Sequence, residues 1–131
     1  MNDNKISIHQ QTFTMQWGDM DALGHMNHAR MFVYFQECRI NWMAELDITL
    51  SADEGPILLQ ANCTYLKPLI HPTTFTVQSR LHTIGSSSFL LDHDVYENEG
   101  IVANGGCKIV WVNYQKNKSV AIPQPIREIL A

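Results

Sequence analysis

A chain of 131 residues, 45% of them hydrophobic, suits one packed core and is short for two domains. Its thirteen acidic and nine basic residues give a formal net charge of -4 and are scattered without blocks, which argues against a protein that neutralises nucleic-acid phosphates. The polar start Met1-Asn2-Asp3-Asn4-Lys5 has no signal-peptide-like apolar stretch behind it, and no apolar run approaches a membrane span. Cys38, Cys63 and Cys107 share no CxxC spacing and lie among apolar neighbours, so buried free thiols in a soluble, cytoplasmic protein are expected.

From Gln11 to Trp17, Phe13, Met15 and Trp17 alternate with Thr12, Thr14 and Gln16, which predicts a half-buried strand ending at Gly18. A polar loop, Asp19 to Met26, leads to Asn27, a good N-cap for a helix from His28 to Leu46. At 100° per residue Met31, Phe32, Phe35, Cys38, Trp42, Met43 and Leu46 share one arc, extended by Ala29, Val33 and Ile40. Only Arg30, Glu37, Asn41 and Glu45 form a uniformly polar stripe, so this helix is expected to be wrapped by other elements. Gln36 and Arg39 interrupt the apolar arc, either with stems that snorkel outward or toward a ligand or a subunit interface.

A loop around Asp53-Glu54-Gly55-Pro56 precedes four expected strands. Leu59 to Tyr65 alternates and is broken by Lys67-Pro68; Phe75 to His82 alternates and ends at a turn, Gly85-Ser86-Ser87; Phe89 to Tyr96 ends at Glu97-Asn98-Glu99-Gly100. The last runs from Ile101 to Tyr114; Ile109 to Val112 is apolar on both faces, as in a central strand, and Asn104-Gly105-Gly106 suggests a bulge or a close backbone approach. The tail, with Pro123 and Pro125, has room for one helical turn. The expected architecture is a single α+β domain over 1–131, core about 10–123, in which one curled antiparallel sheet of about five strands wraps one long helix. A partly apolar face left on the sheet implies paired subunits, a homodimer or homotetramer.

The loop before the helix concentrates the polar chemistry, and carboxylates, histidines and glycines at a helix N-terminus can prepare a site for an anion or a developing oxyanion. The stretch from Gly18-Asp19-Met20-Asp21 through Gly24-His25-Met26-Asn27-His28-Ala29-Arg30-Met31, followed by Tyr34-Phe35-Gln36-Glu37-Cys38-Arg39, resembles the signature of hotdog-fold acyl-CoA thioesterases of the 4-hydroxybenzoyl-CoA thioesterase type. Thr64-Tyr65-Leu66-Lys67-Pro68 and Lys108 to Asn113 extend the resemblance to most of the chain. It implies a hotdog domain that hydrolyses an acyl-CoA, with no metal or redox cofactor. It also implies that Asp21, the second aspartate of Asp-x-Asp-x-x-Gly, is the catalytic carboxylate. The carbonyl-polarising backbone N–H would then fall around Asn27 or His28. Many members carry His-Val-Asn-Asn where this chain has His25-Met26-Asn27-His28, so a side-chain role for His28 is not implied.

Such chemistry asks little of the protein. A thiol of pKa about 8.5 leaves readily as thiolate, so one carboxylate acting as general base or nucleophile and one N–H for the oxyanion suffice. Gly24, His25, Asn27 and His28 are the expected substrate-binding residues, and Lys67, Arg80, His82 and Lys108 are candidates for the phosphates of coenzyme A. Other readings compete. Asp19 and Asp21 are also residues that cap turns, and Asp19, Asp21, His25 and His28 are possible metal ligands, though their spacing matches no zinc signature. Gly85-Ser86-Ser87-Ser88-Phe89 lacks the second glycine of a nucleophile elbow. An acyl-carrier-protein thioesterase, a non-catalytic acyl-CoA-binding domain and a hydratase keep the same fold.

Overall fold

The computed structural model describes residues 5–50 and 53–130. Strand β1 (Ile6–Thr14) is followed by helix α1 (His28–Glu45), strands β2 (Glu54–Tyr65), β3 (Thr74–Ile84), β4 (Ser88–Glu97), β5 (Gly100–Asn113) and β6 (Lys118–Ser119), and a one-turn helix α2 (Gln124–Arg127). All the strands belong to one antiparallel sheet in the order β1-β3-β4-β5-β2, with β6 paired to β5. The sheet packs on α1, the architecture expected of a hotdog domain.

The helix starts where its cap predicts: Asn27 Oδ1 accepts a hydrogen bond from the Ala29 N–H at 2.8 Å. It stops in a Schellman arrangement, Ile48 N–H to Met43 O and Asp47 N–H to Ala44 O, with Asp47 at φ 59° in the position glycine usually takes. Met31, Tyr34, Phe35, Cys38, Trp42 and Met43 are buried. Five members of the expected apolar arc are not: Phe32 and Leu46 are half-buried, Ala29 is exposed, and Val33 and Ile40 are 43% and 44% exposed. Tyr34 takes the buried position instead, because its hydroxyl finds a carboxylate inside.

The core has two lobes along this helix. Phe35, Cys38, Phe75, Val77 and Val95 belong to the lobe around its first half, and Trp42, Met43, Phe89, Leu91, Ile109 and Trp111 to the lobe around its second. Inward residues on the strands follow the two-residue period, Phe75, Val77, Ser79 and Leu81 on β3 and Phe89, Leu91, His93 and Val95 on β4.

Several boundaries differ from expectation. β1 begins five residues earlier than the alternation predicts, at Ile6, and ends at Thr14. Trp17 lies not in the strand but in a 3-10 turn, Trp17–Asp19, and is 73% exposed. That turn closes because Gln16 and Asp19 form a capping box. The expected loop around Asp53-Glu54-Gly55-Pro56 is already strand from Glu54; β2 is a sheet edge, where proline is tolerated. β6 escapes the pattern because it is two residues long. β5 is central, between β4 and β2, as its two-sided apolarity requires.

Gly105 is a close approach. A Cβ there would lie 2.5 Å from Phe35 Cε2 and 2.8 Å from the backbone oxygen of Asn62. Gly105→Ala is therefore expected to cost about 1–3 kcal/mol, measured by urea unfolding, since neither the ring nor the ladder can give way freely.

His93 is wholly buried, stacked on Phe35 at 4.6 Å, with Nδ1 2.8 Å from Ser79 Oγ and Nε2 without a partner among the described residues. Burial, and then the positive charges of Arg39 and His9, push its pKa down from 6.5 to about 3. The folded protein thus keeps His93 neutral where the unfolded chain protonates it. Its contribution is complete above pH 6.5 and is lost as pH falls toward about 3. Stability should rise by close to 1.4 kcal/mol per pH unit from this group through the middle of that window. Chemical denaturation at several pH values should show the slope flattened in His93→Gln.

Candidate active site

Between β1 and α1 the chain folds into a loop closed by an isolated bridge between Met20 and Met26. Inside it the Gly24 N–H donates to Asp21 O at 3.0 Å and the Asp21 N–H to His25 O at 3.2 Å. Gly24 has φ +84°, a conformation that glycine adopts without strain, so its place in the motif serves the turn. Met26 and Met15 donate their N–H groups to Leu69 O and Thr73 O, at 2.8 and 2.9 Å, which ties the loop to the β2–β3 connection.

The two aspartates are in opposite environments. Asp19 is 2% exposed; its Oδ1 accepts from Arg30 Nε at 2.9 Å and its Oδ2 from the Gln16 N–H at 3.0 Å and from the Tyr34 hydroxyl. Burial alone raises its pKa, but these donors outweigh burial and hold the carboxyl below its ordinary range. Burial and the bond to Asp19 together push Tyr34 up to about 12, so it stays a donor. Asp19 is therefore a structural anchor. Asp21 is exposed, and the one hydrogen bond of its carboxylate among the described residues is the acceptance by Oδ1 of the Leu23 N–H at 2.8 Å, which leaves Oδ2 without a partner there.

The first turn of α1 separates the two expected oxyanion donors. The Asn27 N–H is committed to Asp19 O at 2.9 Å, Ala29 donates to the Asn27 side chain and Arg30 to Asn27 O. Among the described residues the N–H of His28, the first helical residue, has no acceptor.

Beside this turn opens a cavity of about 460 Å³. Burial sorts its lining into a rim and a floor. Leu23, His25, His28, Tyr65, Leu66, Lys67 and Pro68 are exposed or half-buried, whereas Met26, Met31, Leu69, Val102 and Ala103 are buried. One side of the rim is a column of rings, His25 6.3 Å from His28 and His28 4.1 Å from Tyr65, nearly parallel at 22° and 23°. The Tyr65 hydroxyl donates to His28 O, fixing the last turn of β2 to the first turn of α1. Burial, then Cys63, raises its pKa to about 12, so it too remains a donor.

The structure puts His25, His28 and Lys67 on the lining of this cavity and Asp21, Gly24 and Asn27 in the adjoining loop, outside that lining. It separates the other cations from them. Arg80 and His82 alternate with inward Ser79 and Leu81 and so face away from α1, where Arg80 pairs with Asp94 and His82 Nε2 lies 3.5 Å from Asp92 Oδ1. Lys108, beside Leu90 and Gln60 in the register, is on that outer face too. The expected phosphate surface thus divides, because strand alternation sends these side chains outward. Among the described residues no three His, Cys, Asp or Glu converge as metal ligands would, and Asp19 and Asp21 diverge. Tyr65, Met31 and Val102–Ala103 are not among the expected site residues, although Met31 and Tyr65 both fall in segments that carry the resemblance.

The model of the thioesterase-like superfamily matches residues 15–130. The PA2801 protein of Pseudomonas aeruginosa, provisionally assigned as a thioesterase, superposes with TM-score 0.92 at 38% identity, over 96% of this chain and 100% of its own. A provisionally assigned esterase of Aquifex aeolicus is 30% identical over 120 residues, 88% of this chain and 92% of its own. The 1,4-dihydroxy-2-naphthoyl-CoA thioesterase Slr0204 of Synechocystis shares the fold at 16% identity, with TM-score 0.85 over 93% of this chain and 94% of its own.

Proposed function

The chain belongs to the thioesterase-like superfamily, and from that premise we propose that it hydrolyses an acyl-CoA to the free acid and coenzyme A, with Asp21 as the reacting carboxylate and the His28 N–H as the oxyanion donor. The observation that carries this reading is the His28 N–H, without an acceptor among the described residues, in a residue at the rim of an apolar cavity and on the same loop-and-helix unit as the exposed Asp21. An acyl group lying toward the cavity floor leaves its thioester carbonyl at the rim. There the N–H and the positive end of the α1 dipole favour the developing negative charge. Asp21 either takes a proton from the attacking water or attacks the carbonyl itself to give a mixed anhydride that water then opens. In both routes the thiolate leaves without a dedicated acid. Lys67, at the rim, is the cation best situated for a coenzyme A phosphate.

The working unit is a homo-oligomer. β2 is a sheet edge that exposes Ile57, Leu58 and Leu59 by 38%, 46% and 56%, and Ile40 of α1, 44% exposed, lines a cleft with Pro56 and Leu58.

The test is thiol release, followed with a thiol-reactive dye, over a panel of short, long and aromatic acyl-CoAs. Turnover of at least one supports the reading. Acyl-CoA binding without thiol release would replace it with a non-catalytic binding domain, and consumption of an enoyl-CoA without thiol release with a hydratase. A preference for acyl groups on a carrier protein would move the thiol from coenzyme A to that protein.

A further inference from the structure

Resting on the reading of the site above, we infer that its acyl subsite is built for a plain hydrocarbon tail, one without hydroxyl, amino or carboxyl groups. The floor side chains are Met26, Met31, Leu69, Val102 and Ala103, all buried, and among them only the two thioether sulfurs accept hydrogen bonds, weakly.

Two carbonyls behind them are already engaged. Leu69 O accepts the Met26 N–H at 2.8 Å, and Val102 O accepts both the Leu66 and the Lys67 N–H, at 2.8 and 3.1 Å. At the upper edge the Tyr65 hydroxyl has its proton on His28 O. The groups that remain polar and reachable, the His25 and His28 rings and the Lys67 ammonium, stand at the exposed rim, level with the thioester and the coenzyme A arm. A hydroxyl carried to the floor gives up its water and finds no replacement, a loss that a site built around apolar contact cannot recover. The methionines add a second property. Flexible thioethers accommodate chains of different shape, so selection is against polarity more than for one length.

The experiment has two arms on the full-length protein. In the first, kcat/KM by thiol release is compared for octanoyl-CoA against 8-hydroxyoctanoyl-CoA, and for benzoyl-CoA against 4-hydroxybenzoyl-CoA. The unsubstituted member of each pair should lead by about tenfold or more. In the second, binding of the matching non-hydrolysable thioethers of coenzyme A is measured by calorimetry and should show the same order. Ala103→Leu, which enlarges a floor residue, should lower the octanoyl-to-acetyl ratio of kcat/KM by about tenfold; a ratio is read so that a general loss of folded protein cancels.

Thioesters cleaved with the hydroxylated member equal or better would overturn the inference and leave the thioesterase reading standing. Thioethers bound in the expected order with no thioester cleaved would do the reverse. A ratio unmoved in Ala103→Leu would remove this cavity as the acyl subsite.

Discussion

Asp21→Asn is expected to lower kcat/KM for thioester hydrolysis by about a hundredfold or more, a loss of about 2.7 kcal/mol in transition-state stabilisation, while leaving thermal stability within about 1 °C of the parent. The two halves of this expectation come from the two oxygens. Oδ1 holds the loop by accepting the Leu23 N–H at 2.8 Å, and an asparagine amide oxygen accepts that bond equally well. What the amide cannot do is take a proton from water or attack a carbonyl. Steady-state thiol release and a thermal melt on the same preparation separate the effects. A variant that cleaves as fast as the parent would remove Asp21 from the chemistry, and one that melts early would mean that its loss acts through the fold.

Asp19→Ala should do the opposite, destabilising the fold by about 3–5 kcal/mol in urea unfolding. The substitution strands the buried Tyr34 hydroxyl and removes the acceptor of the part-buried Gln16 N–H. Arg30 contributes less to the loss, because its side chain is 44% exposed and can rehydrate. Since the folded carboxyl titrates below its ordinary 3.8, this stabilisation is present above that value and is lost as pH falls through the lower, folded one. The acid limb due to His93 begins well above it, at pH 6.5, so the two groups can be told apart in one pH series.

The contrast between these neighbouring aspartates was only half legible in the sequence. Either can cap a turn, and nothing in their spacing says which one a tyrosine and an arginine from the following helix will enclose. The resemblance chose Asp21; only the packing of α1 shows Asp19 facing inward. Asn27 was readable as a cap because capping is local. Choosing between the Asn27 and His28 N–H groups needed Asp19 O, whose position depends on the preceding 3-10 turn. Strand phase was legible on β3, where Phe75, Val77 and Leu81 alternate with Thr76, Gln78 and Arg80, but the inward place of His93 on β4 was not read from it. Strand order was not, because alternation carries no information about neighbours. For that reason the cavity wall, drawn from the end of β2, the loop after it and Val102–Ala103 of β5, and the outward fate of Arg80 and His82 had to come from the structure.

Sheet order also governs when the site can exist during folding. β3, β4 and β5 are sequential neighbours joined by short turns, and they can pair as soon as each turn forms. β1 and β2, the strands that flank α1 in the chain, lie at opposite ends of the sheet, Ile6 registering with Leu81 and Glu54 with Asn113. Both pairings close long stretches of chain, which places this protein among slow, high-contact-order folders. The loop bearing Asp21 is held at Met15 and Met26 by carbonyls of the β2–β3 connection, and the His28 turn is held by Tyr65 at the end of β2. The geometry of the proposed site is therefore assembled only after both outer strands have docked, so recovery of thioesterase activity on refolding should lag behind formation of the β3–β5 meander.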